Sequence, residues 1–225
     1  MSSFLNEIRI KINKHIFIKD PESSALGKKI IMGSIDLIEN IGFEQFTFRK
    51  LSLHINSTEA SIYRYFENKQ KVLLYLTMWY WRWMEYKVEL STINLDCPKE
   101  RLRRSVKAIT EKVEEDGSFS HINEVKLQRI IIAESSKALF TKSVKEQNKD
   151  GVYNSYKNLV ERISAIILEI NPEYKYPHML TSTVIEAGHH QRFFAKNIPS
   201  LTDSYKNEDA ISVFYEDMVF KMIEQ

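Results

Sequence analysis

Cysteine, proline and glycine are scarce in this chain of 225 residues, which contains one, five and six of them. A lone cysteine, Cys97, excludes a disulfide-stapled fold and is typical of a reducing compartment. Few glycines and prolines favour helices over a β-sandwich or a loop-rich fold. No stretch approaches the ~20 apolar residues of a membrane span, and the N-terminus carries charges where a signal peptide is apolar. We therefore expect a soluble, cytoplasmic protein with no membrane partner.

Signatures of catalysis are also missing. The chain has no P-loop, no glycine-rich nucleotide loop and no G-x-S-x-G motif. Cys97 lies beside Pro98 in a turn, and no base is paired with it in the sequence. We therefore expect no catalytic residues, no enzyme activity and no cofactor.

The net charge is small, at +2, but it is unevenly distributed. Residues 1–71 contain 11 Lys and Arg against 8 Asp and Glu, whereas residues 72–225 contain 21 against 22. This asymmetry permits nucleic-acid binding by the N-terminal part without demonstrating it.

Residues 1–24 form an N-terminal arm with an alternating pattern. Isoleucines recur at every second position in two short runs, Ile8, Ile10 and Ile12 and then Ile16 and Ile18. Alternation is typical of strands, and Asn13-Lys14 supplies a tight turn, so the pattern predicts a short β-hairpin. Because two strands alone are marginally stable in water, the arm must pack on another part of the protein.

From residue 25 onward, apolar residues recur at helical spacing. Gly42 is placed to end the first helix with a left-handed residue, Thr47 caps a second helix, and Asn56 tolerates a left-handed turn. The predicted helices are 25–40, a short helix after Thr47, 59–65, 69–90, 99–115, 121–139, 142–170, 177–196 and 207–223. The predicted fold is all-α, with a three-helix unit at 25–70 and a larger helical bundle over 71–225.

Two of these short helices, TFRKLSLHI and TEASIYRYF, are joined by a tight turn. This is the helix-turn-helix pattern, whose second helix lies in the major groove of DNA. Small residues at Ala60 and Ser61 allow close approach of the backbone. Tyr63 and Arg64 offer donors to phosphates, as does Tyr65, while the apolar residues of the second helix anchor it.

An ordered set of residues between Lys29 and Leu74 resembles the DNA-binding domain of the TetR family of transcriptional regulators. The matching positions are Glu39, Ile41, Gly42, Phe43, Phe46, Thr47, Thr58, Ser61, Ile62, Tyr63, Arg64, Tyr65, Phe66, Asn68, Lys69, Val72 and Leu73. The family commonly has Gly-Val in the turn, where this chain has Asn56-Ser57. Asparagine still adopts the required backbone, so the turn is retained.

The resemblance implies a ligand-responsive repressor that binds a palindromic double-stranded DNA operator as a homodimer and is released by a small, largely apolar effector. It assigns DNA contacts to Thr47, Arg49, Thr58, Glu59, Ala60, Ser61, Tyr63, Arg64, Tyr65 and Lys69. Thr47, Tyr63, Tyr65 and Lys69 would hold phosphates, and Arg49 suits guanine. The alternatives are that the tyrosines pack on the domain surface and that Arg49 and Lys69 are solvated charges.

The long N-terminal arm has two interpretations. Basic arms of this kind reach into the DNA groove in some proteins, or the arm packs on the domain. Its many isoleucines favour packing.

Aromatic residues in the predicted helix 69–90 indicate a ligand pocket. Taken singly each is more simply a core residue, but three tryptophans within five residues exceed what a narrow helical stripe buries. The candidate pocket residues are Tyr75, Met78, Trp79 and Trp83, with His189 and Phe193 from a later helix.

The resemblance also implies that the last two helices of each subunit form the dimer interface. The residues predicted there are Val184, Ile185, Phe214, Met218 and Met222. Two-fold dimers read palindromic operators, although the same residues also suit the core of one chain.

Glu186 and His189 form an E-x-x-H pair, which di-iron helical bundles use. Such a site needs a second E-x-x-H, and the chain has none, so polar contacts between helices are favoured and no metal is expected. The remaining alternatives to a regulator are a helical protein-interaction module and, less favoured, a metal-dependent helical enzyme.

Overall fold

The chain is mainly helical in the part that the structure, a computed structural model, describes: residues 10–115, 119–204 and 210–224. The α-helices formed by these residues are Ala25–Gln45 (α1), Phe48–His54 (α2), Glu59–Tyr63 (α3), Lys69–Thr92 (α4), Pro98–Thr110 (α5), Glu124–Leu139 (α6), Val144–Lys149 (α7), Asn154–Ile170 (α8), Pro177–Asn197 (α9) and Ala210–Ile223 (α10). No strand occurs in the described residues. The predicted all-α fold is confirmed.

The single long helix predicted over 142–170 is wrong, because the chain forms α7 and α8 there. Gly151 has a φ of +71°, which a right-handed helix cannot continue. The N–H of Val152 donates to the carbonyl of Gln147 at 3.0 Å, and the N–H of Gly151 donates to Asn148 at 3.1 Å. These two bonds are the Schellman end of a helix.

The predicted hairpin of the N-terminal arm is also wrong where it can be assessed. Lys14–Ile16 is a 3-10 turn capped by Asn13, whose side chain accepts from the N–H of His15. Ile16 is buried, and the N–H of Ile18 bonds to the carbonyl of Tyr65. The described part of the arm therefore packs on the domain, through the Ile16 side chain and this backbone bond, instead of pairing with itself. Residues 1–9, which hold most of the first predicted strand, lie outside the described residues.

Side-chain caps set the helix starts around the helix-turn-helix. Ser24, Thr47 and Thr58 each accept a bond from the backbone N–H three residues later, beginning α1, α2 and α3. The turn after α2 is a second Schellman motif, in which Asn56 has a φ of +50° and Ser57 donates to Ser52. The predicted cap at Thr47 and the predicted turn at Asn56 are therefore confirmed.

The chain divides into two compact units, one of residues 1–82 and 113–154 and the other of residues 83–112 and 155–225. The first unit contains the helix-turn-helix together with α6 and α7. The predicted domain boundary between residues 70 and 71 was drawn from the family resemblance and does not coincide with either unit. It stays a prediction about which part of the chain has which function.

In the first unit, α4 is buried on all sides from Val72 to Trp81. A helix that is apolar all round belongs in the centre of a protein, which explains how Trp79 and Trp81 are both accommodated. Trp79 packs edge-on against Phe119, with ring centroids 5.1 Å apart.

Ion pairs join α1 to α6 in the same unit. Lys126 contacts Asp36 at 2.6 Å, Arg129 contacts Glu39 at 2.9 Å, and Lys137 contacts Glu44 at 2.8 Å. A further bond runs from the N–H of Phe43 to Glu134 on α6. The pairs follow the two helices along their length, so α6 holds α1, the helix that precedes the helix-turn-helix.

In the second unit, α5, α9 and α10 pack together. Thr110 of α5 donates to the Oγ of Ser212 at 3.1 Å, and its carbonyl accepts from Arg192. Gly188 faces Thr110, because a Cβ there would lie 3.3 Å from the Thr110 methyl group. None of the described helices combines the length and the apolar character that crossing a bilayer requires.

Candidate nucleic-acid interface

Buried apolar side chains hold α2 and α3 in a fixed arrangement. They are Phe48, Leu51, Ile55, Ile62 and Phe66. The faces of α2 and α3 that point away from these residues are exposed to solvent. The helix-turn-helix geometry predicted from the sequence is therefore present.

The first turn of α3 presents short polar side chains. Thr58, Glu59 and Ala60 are exposed and Ser61 is half-buried. The Oγ1 of Thr58 lies 2.9 Å from the Oγ of Ser61, and it also accepts from the N–H of Ser61. The two hydroxyls thus fix the start of α3, and the small side chains leave its backbone accessible. Contact of these residues with bases stays a prediction.

Three predicted contact residues with long side chains are exposed beside this turn. The ring of Tyr63 packs edge-on against Phe48 with centroids 4.8 Å apart, and the side chain is 50% exposed. Arg49 and Arg64 are exposed, and within the described residues neither forms an ion pair. Unpaired guanidinium groups on this face are suited to phosphates or to guanine. Thr47 is exposed as well, at the N-terminus of α2.

Tyr65 does not lie on this face. It is 2% exposed, and its hydroxyl lies 2.7 Å from the Oγ of Ser24. In the predicted helix 59–65, Tyr65 would lie outside the core. The helix ends at Tyr63 instead, and the turn that follows directs Tyr65 inward.

Lys69 is half-buried, and its ammonium group is bound to other groups of the protein. Its ammonium group donates to the carbonyls of Phe43 and Glu44 at 3.2 and 3.1 Å, and it lies 4.8 Å from the Phe43 ring. These carbonyls end α1, so Lys69 caps the C-terminus of that helix. The predicted phosphate contact requires this side chain to leave both carbonyls.

The described part of the arm packs on the domain beside the end of α3, as the favoured interpretation of the sequence expects, but its exposed lysines, Lys14 and Lys19, were not among the predicted contact residues. Lys19 lies over the ring of Tyr65 at 5.2 Å, and the carbonyl of Tyr65 accepts from Ile18. The signal was present in the excess of lysine over acidic residues in this segment.

The predicted ligand-pocket residues lie in both units. Tyr75, Met78 and Trp79 are buried in the first unit, whereas Trp83 is buried in the second. In the second unit His189 is buried and Phe193 is partly exposed. Burial lowers the pKa of His189 to about 4, with a smaller effect from the charges of His190 and Arg192. A pocket formed by these residues stays a prediction.

A cleft of about 720 Å³ in the second unit has a different lining. It lies along α4 and α8 and the start of α5, and its charged residues are Glu85, Glu89, Arg101, Glu161, Arg162 and Glu169. None of the predicted pocket residues lines it, and its apolar residues alternate with charged ones, which does not match a largely apolar effector.

The predicted dimer-interface residues fall into two groups. Val184 and Ile185 are buried within the chain, so they have no surface to offer a second subunit. Phe214, Met218 and Met222, spaced four apart on α10, are exposed or half-buried. The sequence pattern identified the apolar positions of α9 but did not distinguish the inner face from the outer one, where Met179 is exposed.

The E-x-x-H pair is part of a helix contact. The hydroxyl of Tyr156 on α8 donates to Glu186 at 2.8 Å, and burial, reinforced by that carboxylate, raises the pKa of Tyr156. Across the described residues, no group of three His, Cys, Asp or Glu side chains is arranged to hold a metal ion.

Comparisons with known proteins agree with this geometry. Residues 30–76 match the model of the bacterial regulatory proteins of the tetR family. No curated protein matches the chain at a significant level. Similar solved structures include superantigen PfiT (16% identity, TM-score 0.61, covering 90% of this chain and 97% of that one). A bacterial regulatory protein of the tetR family from Rhodococcus RHA1 is also similar (13% identity, TM-score 0.62, covering 89% of this chain and 98% of that one). So is AibR in complex with isovaleryl coenzyme A and operator DNA (17% identity, TM-score 0.58, covering 86% of this chain and 98% of that one).

At these identities the solved structures establish the fold alone, and one of them is described as a superantigen. The matched segment, however, coincides with the capped helix-turn-helix. The helix-turn-helix fold and this matched segment together support DNA-binding transcriptional regulation. The resemblance to the TetR family of regulators that the sequence indicated is confirmed.

Proposed function

We propose that this protein is a ligand-responsive repressor that binds a palindromic operator as a homodimer and releases it when a small, largely apolar effector binds. The observation that carries the proposal is the exposed first turn of α3, flanked by Arg49 and Arg64 and held by a buried apolar face. A recognition helix needs this combination of an accessible polar surface and a rigid support.

Dimerisation is supported by α9 and α10. Exposed apolar side chains occur on both helices, among them Met179, Phe193, Val213, Phe214 and Met222. Exposed apolar groups of this number on two neighbouring helices are typical of an interface. Since α3 is only five residues long, one subunit reads few bases, and a two-fold dimer doubles the contacts.

An effector of acyl type is supported by one of the similar structures. AibR, a protein of similar fold, is described in complex with isovaleryl coenzyme A and operator DNA, and the isovaleryl group is a short apolar chain. In the present chain the aromatic residues of α4 that are predicted to line a pocket are buried, so an effector reaches them only if the side chains that cover them move. Release of the operator requires that the effector bind the DNA-free conformation more tightly than the DNA-bound one.

DNA binding is tested by selecting duplexes from a random-sequence pool with the full-length protein, followed by gel-shift titration in physiological salt. We expect one enriched palindromic sequence. The double substitution Arg49→Ala and Arg64→Ala should lower the affinity by about tenfold or more, because each good base contact contributes about 1–3 kcal/mol. Lys142→Ala with Lys175→Ala, at two exposed positions away from α2 and α3 in the sequence, is the matched control.

The proposal fails if the wild-type protein binds no duplex in a salt-dependent manner. A protein-interaction module would give that result. If a duplex is bound but the arginine variant matches the control, α2 and α3 are not the reading elements.

A further inference from the structure

The described part of the N-terminal arm is held beside the recognition helix through one residue, Tyr65. The carbonyl of Tyr65 accepts from the N–H of Ile18 at 2.8 Å, and its ring lies 5.2 Å from the ammonium group of Lys19. Its hydroxyl pairs with Ser24 at the start of α1. Tyr65 follows the end of α3 by two residues, so the arm is fixed next to that helix.

Additional contacts keep this segment in place. Ile16 is fully buried, and Lys71 of α4 donates to the carbonyl of His15 at 3.0 Å. Asn13 caps the 3-10 turn and donates to the carbonyl of Asp150 at 2.8 Å. Residues 13–19 therefore belong to the rigid part of the domain.

The outward surface of the held segment is positively charged. Residues 10–19 contain three lysines and one histidine and no acidic residue. Lys14 and Lys19 are exposed, and neither forms an ion pair within the described part of the chain. A folded protein surface that displays one sign of charge, without neutralising partners, beside a DNA-reading helix is suited to phosphates.

We propose that Lys14 and Lys19 bind backbone phosphates of the operator next to the bases that α3 reads. The inference rests on the proposed function, since it extends the same interface. Packing of the arm and contact with DNA are then not alternatives: the apolar side chains anchor the segment, and the lysines between them face the DNA. Because phosphate contacts do not depend on sequence, the arm adds affinity and register without altering the preferred bases.

The test measures how the affinity of the full-length protein for its selected duplex depends on salt. Neutralising a phosphate contributes about 0.9 to the slope of log K against log salt concentration. We therefore expect the double variant Lys14→Ala with Lys19→Ala to have a slope that is less steep by about 2 for each bound subunit. Ethylation of phosphates beside the half-site should cease to interfere with its binding.

Two matched variants separate position from charge. Lys14→Arg with Lys19→Arg keeps both charges and should keep the wild-type slope. Lys142→Ala with Lys175→Ala removes the same charge elsewhere and should also keep it. Equal thermal unfolding of all variants shows that each is folded.

A third variant tests the anchoring. Ile18→Pro removes the N–H that bonds to Tyr65 and leaves every charge in place. We expect it to lose part of the slope, because a detached arm no longer presents its lysines at a fixed position. A wild-type slope in this variant overturns the role of the Tyr65 anchor.

The outcomes are distinguishable from failure of the proposed function. A wild-type protein that binds no duplex overturns both. A wild-type protein that binds, with an unchanged slope and unchanged ethylation pattern in the double alanine variant, overturns this inference alone.

Discussion

The hydroxyl of Tyr65 lies 2.7 Å from the Oγ of Ser24, and this contact joins the end of the helix-turn-helix to the first turn of α1. Ser24 also accepts from the N–H of Gly27 at 3.1 Å, which makes it the N-cap of α1. The Ser24 hydroxyl thus caps α1 and also forms a hydrogen bond with the hydroxyl of Tyr65. These contacts make Tyr65 a structural residue of the domain.

Tyr65→Phe should lower the free energy of unfolding by about 1 kcal/mol, the usual contribution of one hydrogen bond. Urea unfolding of the wild type and variant measures this difference. The affinity for the selected duplex should change little under conditions where both proteins are folded.

Tyr63→Phe is the matched comparison, because the side chain of Tyr63 is half exposed beside the first turn of α3. It should reduce affinity for the duplex while leaving stability nearly unchanged. If Tyr65→Phe weakens DNA binding tenfold at unchanged stability, the phosphate role first predicted for Tyr65 is correct.

Tyr65 also shows which structural features can be predicted from the sequence and which cannot. Helical spacing located Ile62 and Phe66 in the core, and capping chemistry located Thr47, Thr58 and Asn56, because each of these depends only on neighbouring residues. The position of Tyr65 depends on where α3 ends, and that is decided by packing against the arm and α1. Periodicity alone therefore could not determine it.

The same limit explains the other corrections. Alternating isoleucines in the arm indicated strands. In the described part of the arm Ile16 is buried and Ile18 is exposed, and the backbone N–H of Ile18 bonds to Tyr65 instead of to a second strand of the arm. At Val184 and Ile185 the apolar positions were recognised, whereas which face of α9 turns inward depends on α5 and α10. Contacts between distant elements set these features, and a single sequence does not display them.

Gly42 has a φ of +76° and a ψ of 157°, a conformation that is essentially restricted to glycine. The sequence predicted a left-handed cap at this position. The φ is positive, but the ψ lies outside the left-handed helical region, and Gly42 forms a kink inside α1 instead of its end. Gly42→Ala should lower the free energy of unfolding by about 1–3 kcal/mol. The loss should come from the backbone, since an added Cβ would meet only Glu134, at 3.9 Å.

Thermal or urea unfolding of Gly42→Ala tests this expectation. Asn40→Ala, at an exposed position of the same helix, is the control and should differ little from wild type. Equal stability of Gly42→Ala and wild type would mean that the chain relaxes at this position.

His189 should make stability depend on pH. Burial lowers its pKa to about 4, whereas a histidine in an unfolded chain has a pKa of about 6.5. Between these values the unfolded chain binds more protons, so the free energy of unfolding is highest above about pH 6.5 and falls as the pH drops towards 4. The pKa difference corresponds to about 3 kcal/mol at most.

Urea unfolding at about pH 7 and about pH 4.5 measures this loss. His189→Gln should lose less stability over that interval than the wild type. His178→Gln is the control, because His178 is exposed and contacts Glu161 at 2.8 Å. An equal loss in His189→Gln and wild type would assign the pH dependence to other groups.

Phe214 should be required for dimerisation. It is 59% exposed on α10, where Met218 and Met222 continue the same face at intervals of four residues. A glutamate at position 214 would have to lose its hydration when a second subunit covers this face, and the lost apolar contact adds to the cost. We therefore expect Phe214→Glu to shift the protein from dimer to monomer in sedimentation velocity and to weaken binding to a palindromic duplex.

Ile93→Glu is the control, because Ile93 is 60% exposed but lies outside α9 and α10. Ile93→Glu should remain a dimer. An effect of the added negative charge on DNA binding should appear in both Ile93→Glu and Phe214→Glu, whereas loss of the dimer should appear only in Phe214→Glu. A Phe214→Glu protein that remains a dimer would place the interface elsewhere. Since the length of α3 limits what one subunit can read, a monomeric variant that still distinguishes a palindrome from a half-site would also contradict the two-fold model of operator binding.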